Sequence, residues 1–311
     1  MSEDMLARRL CVGLLAHVDS GKTTLSEAML HQSGALRSPG RVDHGNTFLD
    51  TDEQERERGI TIFSKQARLS WKGWELTLLD TPGHVDFSAE MERAVQVMDY
   101  AVLLISGSDG VQGHTETLWR LLARHHVPTF LFINKMDQPD TDRDKLMAQA
   151  QKRLADGCAD FSGEREALLE QAALCDEGLM ERYLETGELD DGDLAALIVE
   201  RKLFPCFFGS ALREEGVEAL LDGLSRYALE PDWRPEFAAR VFKIGRDDRG
   251  ERLTWLKVTG GALKVRNMVK GPDWEEKATQ LRLYSGARFT TVDQAPAGPV
   301  CAVTGLSRTQ P

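Results

Sequence analysis

Residues 16–24 read AHVDSGKTT, which places a glycine, a lysine and two threonines directly after an apolar run. The run LCVGLLA has the length of a buried strand, and the segment TTLSEAMLHQSG that follows has helical spacing and a stop at Gly34. Backbone N–H groups in a turn between a strand and a helix form a site for anions. In such a loop Lys22 reaches the β- and γ-phosphates of a nucleotide, and the Thr23 hydroxyl ligates Mg²⁺. We therefore predict a phosphate-binding loop. Ala16 stands where the usual pattern has glycine, but alanine is tolerated there if its φ is negative. Its residues are Ala16, His17, Val18, Asp19, Ser20, Gly21, Lys22, Thr23 and Thr24.

A second set of polar residues follows the strand-like stretch WELTLLD, in the sequence DTPGH. Asp80 can hold Mg²⁺ through a water molecule, as the acidic residue of nucleotide-hydrolysing enzymes does. The backbone N–H of Gly83 can face a γ-phosphate, and His84 lies at the edge of the same site. We predict catalytic roles for Lys22, Gly83 and His84.

Two further motifs, NKMD and GSA, each follow an apolar strand. Asn134 and Asp137 offer an amide and a carboxylate at fixed spacing, and the carboxylate can accept hydrogen bonds from N1–H and the 2-amino group of guanine. Adenine has no such pair of donors, so NKMD argues against an ATP-using enzyme. Lys135 can lay its apolar stem along the base. The amides of Ser210 and Ala211, with Leu212 beside them, are predicted to meet the guanine carbonyl.

The elements that position these motifs alternate between strands and helices, which predicts an α/β domain with a mostly parallel sheet. Ligands of such sheets bind at the carboxyl ends of the strands, where all four motifs lie. Residues from about 141 to 203 are charged and helix-prone with no buried strand, which indicates a helical insert. We assign residues 1–230 to a nucleotide-binding domain of the phosphate-loop type. After a proline-bearing linker the period changes to two, which predicts a β-barrel domain over residues 238–311.

Composition excludes some classes of protein. The net charge of −12 over 311 residues gives no sign of a chain that wraps nucleic acid, and we expect no DNA partner. The sequence has no apolar run that could span a membrane, and the basic and apolar segment before Ala16 runs straight into the phosphate loop, so we interpret it as a strand. The five cysteines are scattered without a C-x-x-C pair, which favours reduced thiols in a cytoplasmic protein.

The motifs AHVDSGKTT, RGITI, DTPGHVDF, NKMD and GSA together resemble those of the translational GTPases, and the likeness covers nearly the whole chain. Within that family the chain is similar to elongation factor G and, more closely, to the ribosomal protection proteins of tetracycline resistance. The closer likeness lies in SGALRSPGRVDHGNTFLDTDEQERERGITI and LLISGSDGVQGHTE. The insert is shorter than in elongation factor G.

The resemblance implies a GTPase that binds GTP, GDP and Mg²⁺. It also implies that the ribosome is the partner, through rRNA and ribosomal proteins, and that it stimulates GTP hydrolysis. Residues from about Arg37 to Thr61 look like switch I, in which Thr61, a fourth predicted catalytic residue, would ligate Mg²⁺ and sense the γ-phosphate. His84, in the likeness of switch II, would position the attacking water or stabilise the transition state, and Val18 and Ile60 resemble the hydrophobic gate beside it. Asp19 resembles a loop residue that can hold a monovalent cation.

Several alternatives stay open at this point. Translocases of the elongation factor G type and release-factor-recycling GTPases share these motifs with the ribosomal protection proteins. An inactive nucleotide-binding scaffold would also keep much of the pattern, although the presence of Lys22, Thr23, Thr61, Asp80 and His84 argues against it. Because AVTGLSRTQP stops where the family continues into another strand, we expect the barrel to be truncated and the chain to be a monomeric fragment.

Overall fold

The computed structural model describes residues 7–40, 47–49, 64–83 and 88–311, with the exception of the Ser88 side chain. The amino-terminal part is a seven-stranded sheet in the order β2-β3-β1-β4-β5-β7-β6, with helices on both faces. Its strands are β1 Arg8–Ala16, β2 Lys65–Trp71, β3 Trp74–Asp80, β4 Tyr100–Ser106, β5 Thr129–Asn134, β6 Cys158–Asp160 and β7 Phe204–Phe208.

The helices of this part are α1 Lys22–Gln32, α2 Ser88–Val95, α3 Gly113–Arg124, α4 Arg143–Arg153, α5 Arg165–Ala173, α6 Glu177–Thr186, α7 Asp191–Val199 and α8 Val217–Tyr227. Aspartates begin three of them, since the carboxylates of Asp142, Asp176 and Asp190 each accept a backbone N–H from the first turn of α4, α6 and α7. The predicted alternation of strands and helices is confirmed.

The central strands of this sheet are parallel, and their apolar side chains are buried on both faces. Leu10, Val12 and Leu14 of β1 face one core cluster, whereas Cys11 and Leu15 face another on the opposite side of the sheet. Strand β1 pairs in parallel with both β3 and β4, and β5 continues the parallel set to β7. A run that is apolar at every position, such as LCVGLLA, can pack against the helices on both faces of the sheet.

One antiparallel hairpin stands at the edge of this sheet. Strands β2 and β3 pair antiparallel from Lys65–Asp80 to Trp71–Trp74. The two-residue turn between them has positive φ at both Lys72 (44°) and Gly73 (82°). Turns of this hand match the twist of the strands that they connect.

The segment from 141 to 203 differs from the expected helical insert in one respect. It contains the short strand β6, whose residues Cys158 and Ala159 are buried and which pairs in parallel with β7. The strand has only three residues, which is too short for periodicity to reveal it. Helices α5, α6 and α7 do follow the charged, helix-prone pattern.

The carboxyl-terminal part is antiparallel throughout its described strands. They are β8 Ala238–Arg246, β9 Arg252–Gly260, β10 Ala262–Lys264, β11 Met268–Lys270, β12 Glu275–Lys277, β13 Gln280–Ser285, β14 Arg288–Val292, β15 Gln294–Pro296 and β16 Val300–Thr304. Five form a sheet in the order β14-β13-β16-β9-β8, and the other four form two-stranded ribbons. This β domain has its own core around Leu256, Val258, Leu281 and Val303. In the described ranges we find no helix with the length and apolar character of a membrane span.

Candidate nucleotide site

The four motifs meet at one edge of the parallel sheet. Strands β1, β3, β5 and β7 run in the same direction, so the segments that follow Ala16, Asp80, Asn134 and Phe208 emerge on the same side. This is the edge at which open α/β sheets bind ligands. The predicted convergence of the motifs is therefore a property of the fold.

The loop between β1 and α1 has the backbone conformation of an anion cradle. Asp19 and Gly21 are left-handed, with φ of 62° and 92°, and α1 begins at the next residue, Lys22. Position 21 also needs glycine for space, because a Cβ there would lie 2.4 Å from the side-chain nitrogen of Asn134. Since amides at a helix start point toward a bound phosphate, this loop fits the phosphates of a nucleotide.

Lys22 and Asp80 contact each other directly in the mouth of this loop, and both side chains are buried. The end of β3 is held in place because the Thr81 hydroxyl donates to the carbonyl oxygen of Leu14 at 2.8 Å. The Asp80 carboxylate and the Thr23 hydroxyl are hard oxygen donors of the kind that Mg²⁺ prefers. Within the described ranges we find no cluster of three or more His, Cys, Asp or Glu side chains that could hold a metal ion.

Asn134 ties the phosphate side of the site to the base side. Its Nδ2 donates to the Ser20 carbonyl oxygen at 2.8 Å, and its Oδ1 accepts the N–H of Ala211 at 2.8 Å. The side chain is 3% exposed, so both bonds are shielded from water. The sequence predicted that Asn134 reads a base, and the structure adds that it fixes the spacing between two loops.

Asp137 lies at the rim of the site with its carboxylate 16% exposed, and the Arg213 guanidinium approaches it at 3.3 Å between Nε and Oδ2. Between Asn134 and Asp137 the chain turns sharply, with a left-handed φ of 63° at Lys135. The Met136 N–H donates to the Gly209 carbonyl oxygen at 3.0 Å, which joins the NKMD and GSA segments. Arg213 had no signal in the sequence motifs, because its position after GSA carries no pattern of its own.

The GSA amides differ from expectation in how they are used. The Ser210 N–H donates to the Glu215 carbonyl oxygen at 3.0 Å, and the Ala211 N–H is the one that donates to Asn134. Both amides thus stabilise the loop itself. That an amide of this loop meets the guanine carbonyl stays a prediction. Leu212 is mostly exposed on the 3₁₀ turn that follows.

The residues predicted to act on the γ-phosphate are only partly described. Val18 is half-buried, and a Cβ on Gly83 would lie 3.4 Å from the Ala16 carbonyl oxygen, which places the β3 exit against the end of β1. His17 packs edge-on against His114 at the start of α3, with ring centroids 5.7 Å apart. Ile60, Thr61 and His84 lie outside the described residues.

Residues 7–230 match the sequence profile of the family described as elongation factor Tu GTP binding domain. The chain belongs to the translational GTPase family. Members of this family bind and hydrolyse GTP. The match ends just before the linker to the β domain.

Individual relatives extend the likeness over both parts of this GTPase. The tetracycline resistance protein TetP of Clostridium perfringens is 32% identical over an alignment of 326 positions that covers 96% of this chain and 50% of that protein. Elongation factor G of Mycoplasma pneumoniae is 31% identical over an alignment of 368 positions that covers 96% of this chain and 54% of that protein. The chain therefore spans about half the length of these relatives.

A solved structure of a protein from Thermus thermophilus has the same fold as this GTPase. It superimposes with a TM-score of 0.85 at 26% identity and covers 96% of this chain and 52% of the other. The predicted fold class, a phosphate-loop GTPase domain followed by a β-barrel domain, is confirmed, and the described strands of the second domain form antiparallel sheets.

Proposed function

We propose that this chain is the GTP-binding and GTP-hydrolysing module of a ribosome-associated translation factor. The observation that supports guanine recognition is the tie made by Asn134, which holds the phosphate loop and the base loop at a fixed spacing with Asp137 at the rim. A carboxylate there can accept two hydrogen bonds from guanine. We assign residues 1–230 to the nucleotide domain and residues 238–311 to the β domain, with 141–203 as the insert.

At the phosphate end, residues 16–24 would bind GTP or GDP through backbone amides, and Lys22 would leave Asp80 for the β- and γ-phosphates. Thr23 and Thr61 would ligate Mg²⁺ directly, and Asp80 would do so through water. Mg²⁺ neutralises the charge that develops on the phosphates during transfer. Asp19 is the candidate contact for a monovalent cation. Ser210, Ala211 and Leu212 would surround the base.

Hydrolysis would depend on His84, which we propose positions the attacking water next to the γ-phosphate. The water oxygen would bond to the γ-phosphorus, and the bond from that phosphorus to the β–γ bridging oxygen would break. The proton of the water would pass to the released phosphate or to solvent, and GDP and phosphate would leave. Val18 and Ile60 would flank His84 as an apolar gate, and the Gly83 amide would face the γ-phosphate. We expect a slow reaction until the ribosome orients His84.

Among ribosomal roles we favour ribosomal protection against tetracycline, on the strength of the resemblance in residues 33–62 and 103–116 and of the similarity to TetP. Elongation factor G is similar at nearly the same identity, so a translocase is the second candidate. A cytoplasmic location follows from either role. A release-factor-recycling GTPase shares the same motifs.

Calorimetric titration of the chain with GDP and with ADP, in Mg²⁺ buffer, tests nucleotide recognition. We expect binding of GDP and none of ADP, and equal binding of the two would overturn the guanine assignment.

Release of phosphate from GTP, followed with and without ribosomes, tests hydrolysis. Translation in vitro with tetracycline, using the full product of the gene, separates protection from translocation.

A further inference from the structure

Glu27 is a buried carboxylate on α1 that no sequence motif explains. It lies five residues after Lys22 on the helix that begins the phosphate site, and its side chain is 1% exposed. Its neighbours Leu25, Ala28 and Met29 belong to the apolar core. A carboxylate in such surroundings is costly unless hydrogen bonds compensate for the lost water.

Those hydrogen bonds come from the segment that follows α1 in the chain. Oε2 of Glu27 accepts the N–H of Gly40 at 2.9 Å. Oε1 accepts the N–H of Phe48 at 2.7 Å and that of Leu49 at 3.4 Å. One side chain therefore receives backbone amides from both sides of residues 41–46. Hydrogen bonds to an ionised acceptor are stronger than those between neutral groups.

The same segment is held from its other side by the β domain. Leu49 is fully buried, and the turn between β13 and β14 packs on Phe48. At Gly286 of that turn, where φ is +59°, a Cβ would lie 2.8 Å from the Phe48 carbonyl oxygen and 2.9 Å from its ring. The Gly286 N–H donates to the Gln66 carbonyl oxygen of β2 at 2.8 Å. Residues 47–49 thus lie between α1 and the β domain.

We propose that Glu27 is a positioning residue that anchors Gly40 and residues 47–49 to the helix carrying Lys22 and Thr23. The inference rests on the proposed role of residues 37–61 as switch I. On this proposal, switch I has two parts. Glu27 holds the first part, which ends at Leu49, and only the second part, after Leu49, would respond to the γ-phosphate. By fixing where the second part starts, Glu27 would set the reach of Thr61 toward Mg²⁺.

Hydrogen–deuterium exchange of the chain in GDP tests the anchor, with Glu27→Gln and Glu27→Ala compared with the parent. A glutamine keeps one acceptor oxygen, so it can satisfy only one side, and we expect exchange at least about tenfold faster at either Gly40 or Phe48 but not both. The alanine variant should lose protection on both sides. Ser26→Ala is the matched control, because Ser26 is equally buried on α1 but donates within the helix, to the Lys22 carbonyl oxygen.

A second readout separates positioning from mere packing. Glu27→Gln should bind GDP within about twofold of the parent but lose at least about fivefold in GTP affinity relative to GDP, since only GTP engages Thr61. Unchanged exchange in both Glu27 variants would overturn the anchor. Faster exchange with an unchanged preference for GTP would overturn the proposed division of the segment. If the parent itself binds no GDP, the proposed function fails, whereas the exchange result still decides the anchor.

Discussion

Lys257 of the β domain forms a buried ion pair with Asp99 of the nucleotide domain. Their side chains are 4% and 8% exposed. The second oxygen of Asp99 accepts the N–H of Cys11 at 2.7 Å, on the strand that carries the phosphate loop at its other end. Burial raises the pKa of Asp99, and the contact with Lys257 opposes that rise. This pair thus joins the two domains at the amino end of β4, whereas the candidate site lies at the carboxyl ends of the parallel strands.

Replacement of Lys257 by methionine should strongly destabilise the chain. The variant leaves the Asp99 carboxylate buried without its counter-ion, a change that costs about 3–5 kcal/mol in comparable pairs. Adding Asp99→Asn should recover part of the loss, because the uncompensated charge is then gone. Urea unfolding of the parent, both single variants and the double variant measures this coupling. If the losses in unfolding free energy of the two single variants add up to the loss of the double variant, the ion pair contributes little beyond the separate contacts of Lys257 and Asp99.

The thiols should differ in reactivity in the native protein. Burial raises the pKa of Cys11 and of Cys301 to about 12, so at about pH 8 both are neutral thiols inside the core. Cys175 is half-buried, and burial also raises its pKa. A water-soluble maleimide should therefore modify Cys175 first, at a rate that increases as the pH rises and its thiolate forms. Mass spectrometry after labelling checks the order, with Cys175→Ser as the control, and early labelling of Cys11 would contradict it.

Asp137→Asn should exchange one nucleotide specificity for another. Because the carboxylate is expected to accept hydrogen bonds from N1–H and the 2-amino group of guanine, its loss should weaken GTP binding by about 2–4 kcal/mol. Xanthosine triphosphate, which has a carbonyl in place of that amino group, should gain affinity. Competition binding with both nucleotides measures the change. Equal GTP affinity in the variant and the parent would remove Asp137 from the base site.

His84→Ala should leave GDP and GTP affinity nearly unchanged while strongly reducing ribosome-stimulated hydrolysis. This is the signature of an interaction made only in the transition state. Single-turnover phosphate release with ribosomes, next to equilibrium nucleotide binding, separates the two effects. A collapse of nucleotide affinity would instead assign His84 a structural role.

The sequence alone determined the parts of this protein that are local in the chain. The apolar run before Ala16, the glycine at 21 and the helical spacing after Lys22 together predict a strand, a left-handed turn and a helix, because each depends on neighbouring residues. The direction of the parallel strands then requires the four motifs to share one edge, so their convergence could be predicted from the sequence.

Only the tertiary structure decided which distant side chains meet. Asn134 bonds to Ser20 and Ala211, 114 and 77 residues away, because the strand order places β1, β5 and β7 so that their loops adjoin. Lys257 and Asp99 are 158 residues apart and belong to different domains. Glu27 is buried on α1, and periodicity cannot tell where its partners are. Such contacts follow from strand order and domain docking, which arise from packing over the whole chain and leave no local pattern in the sequence.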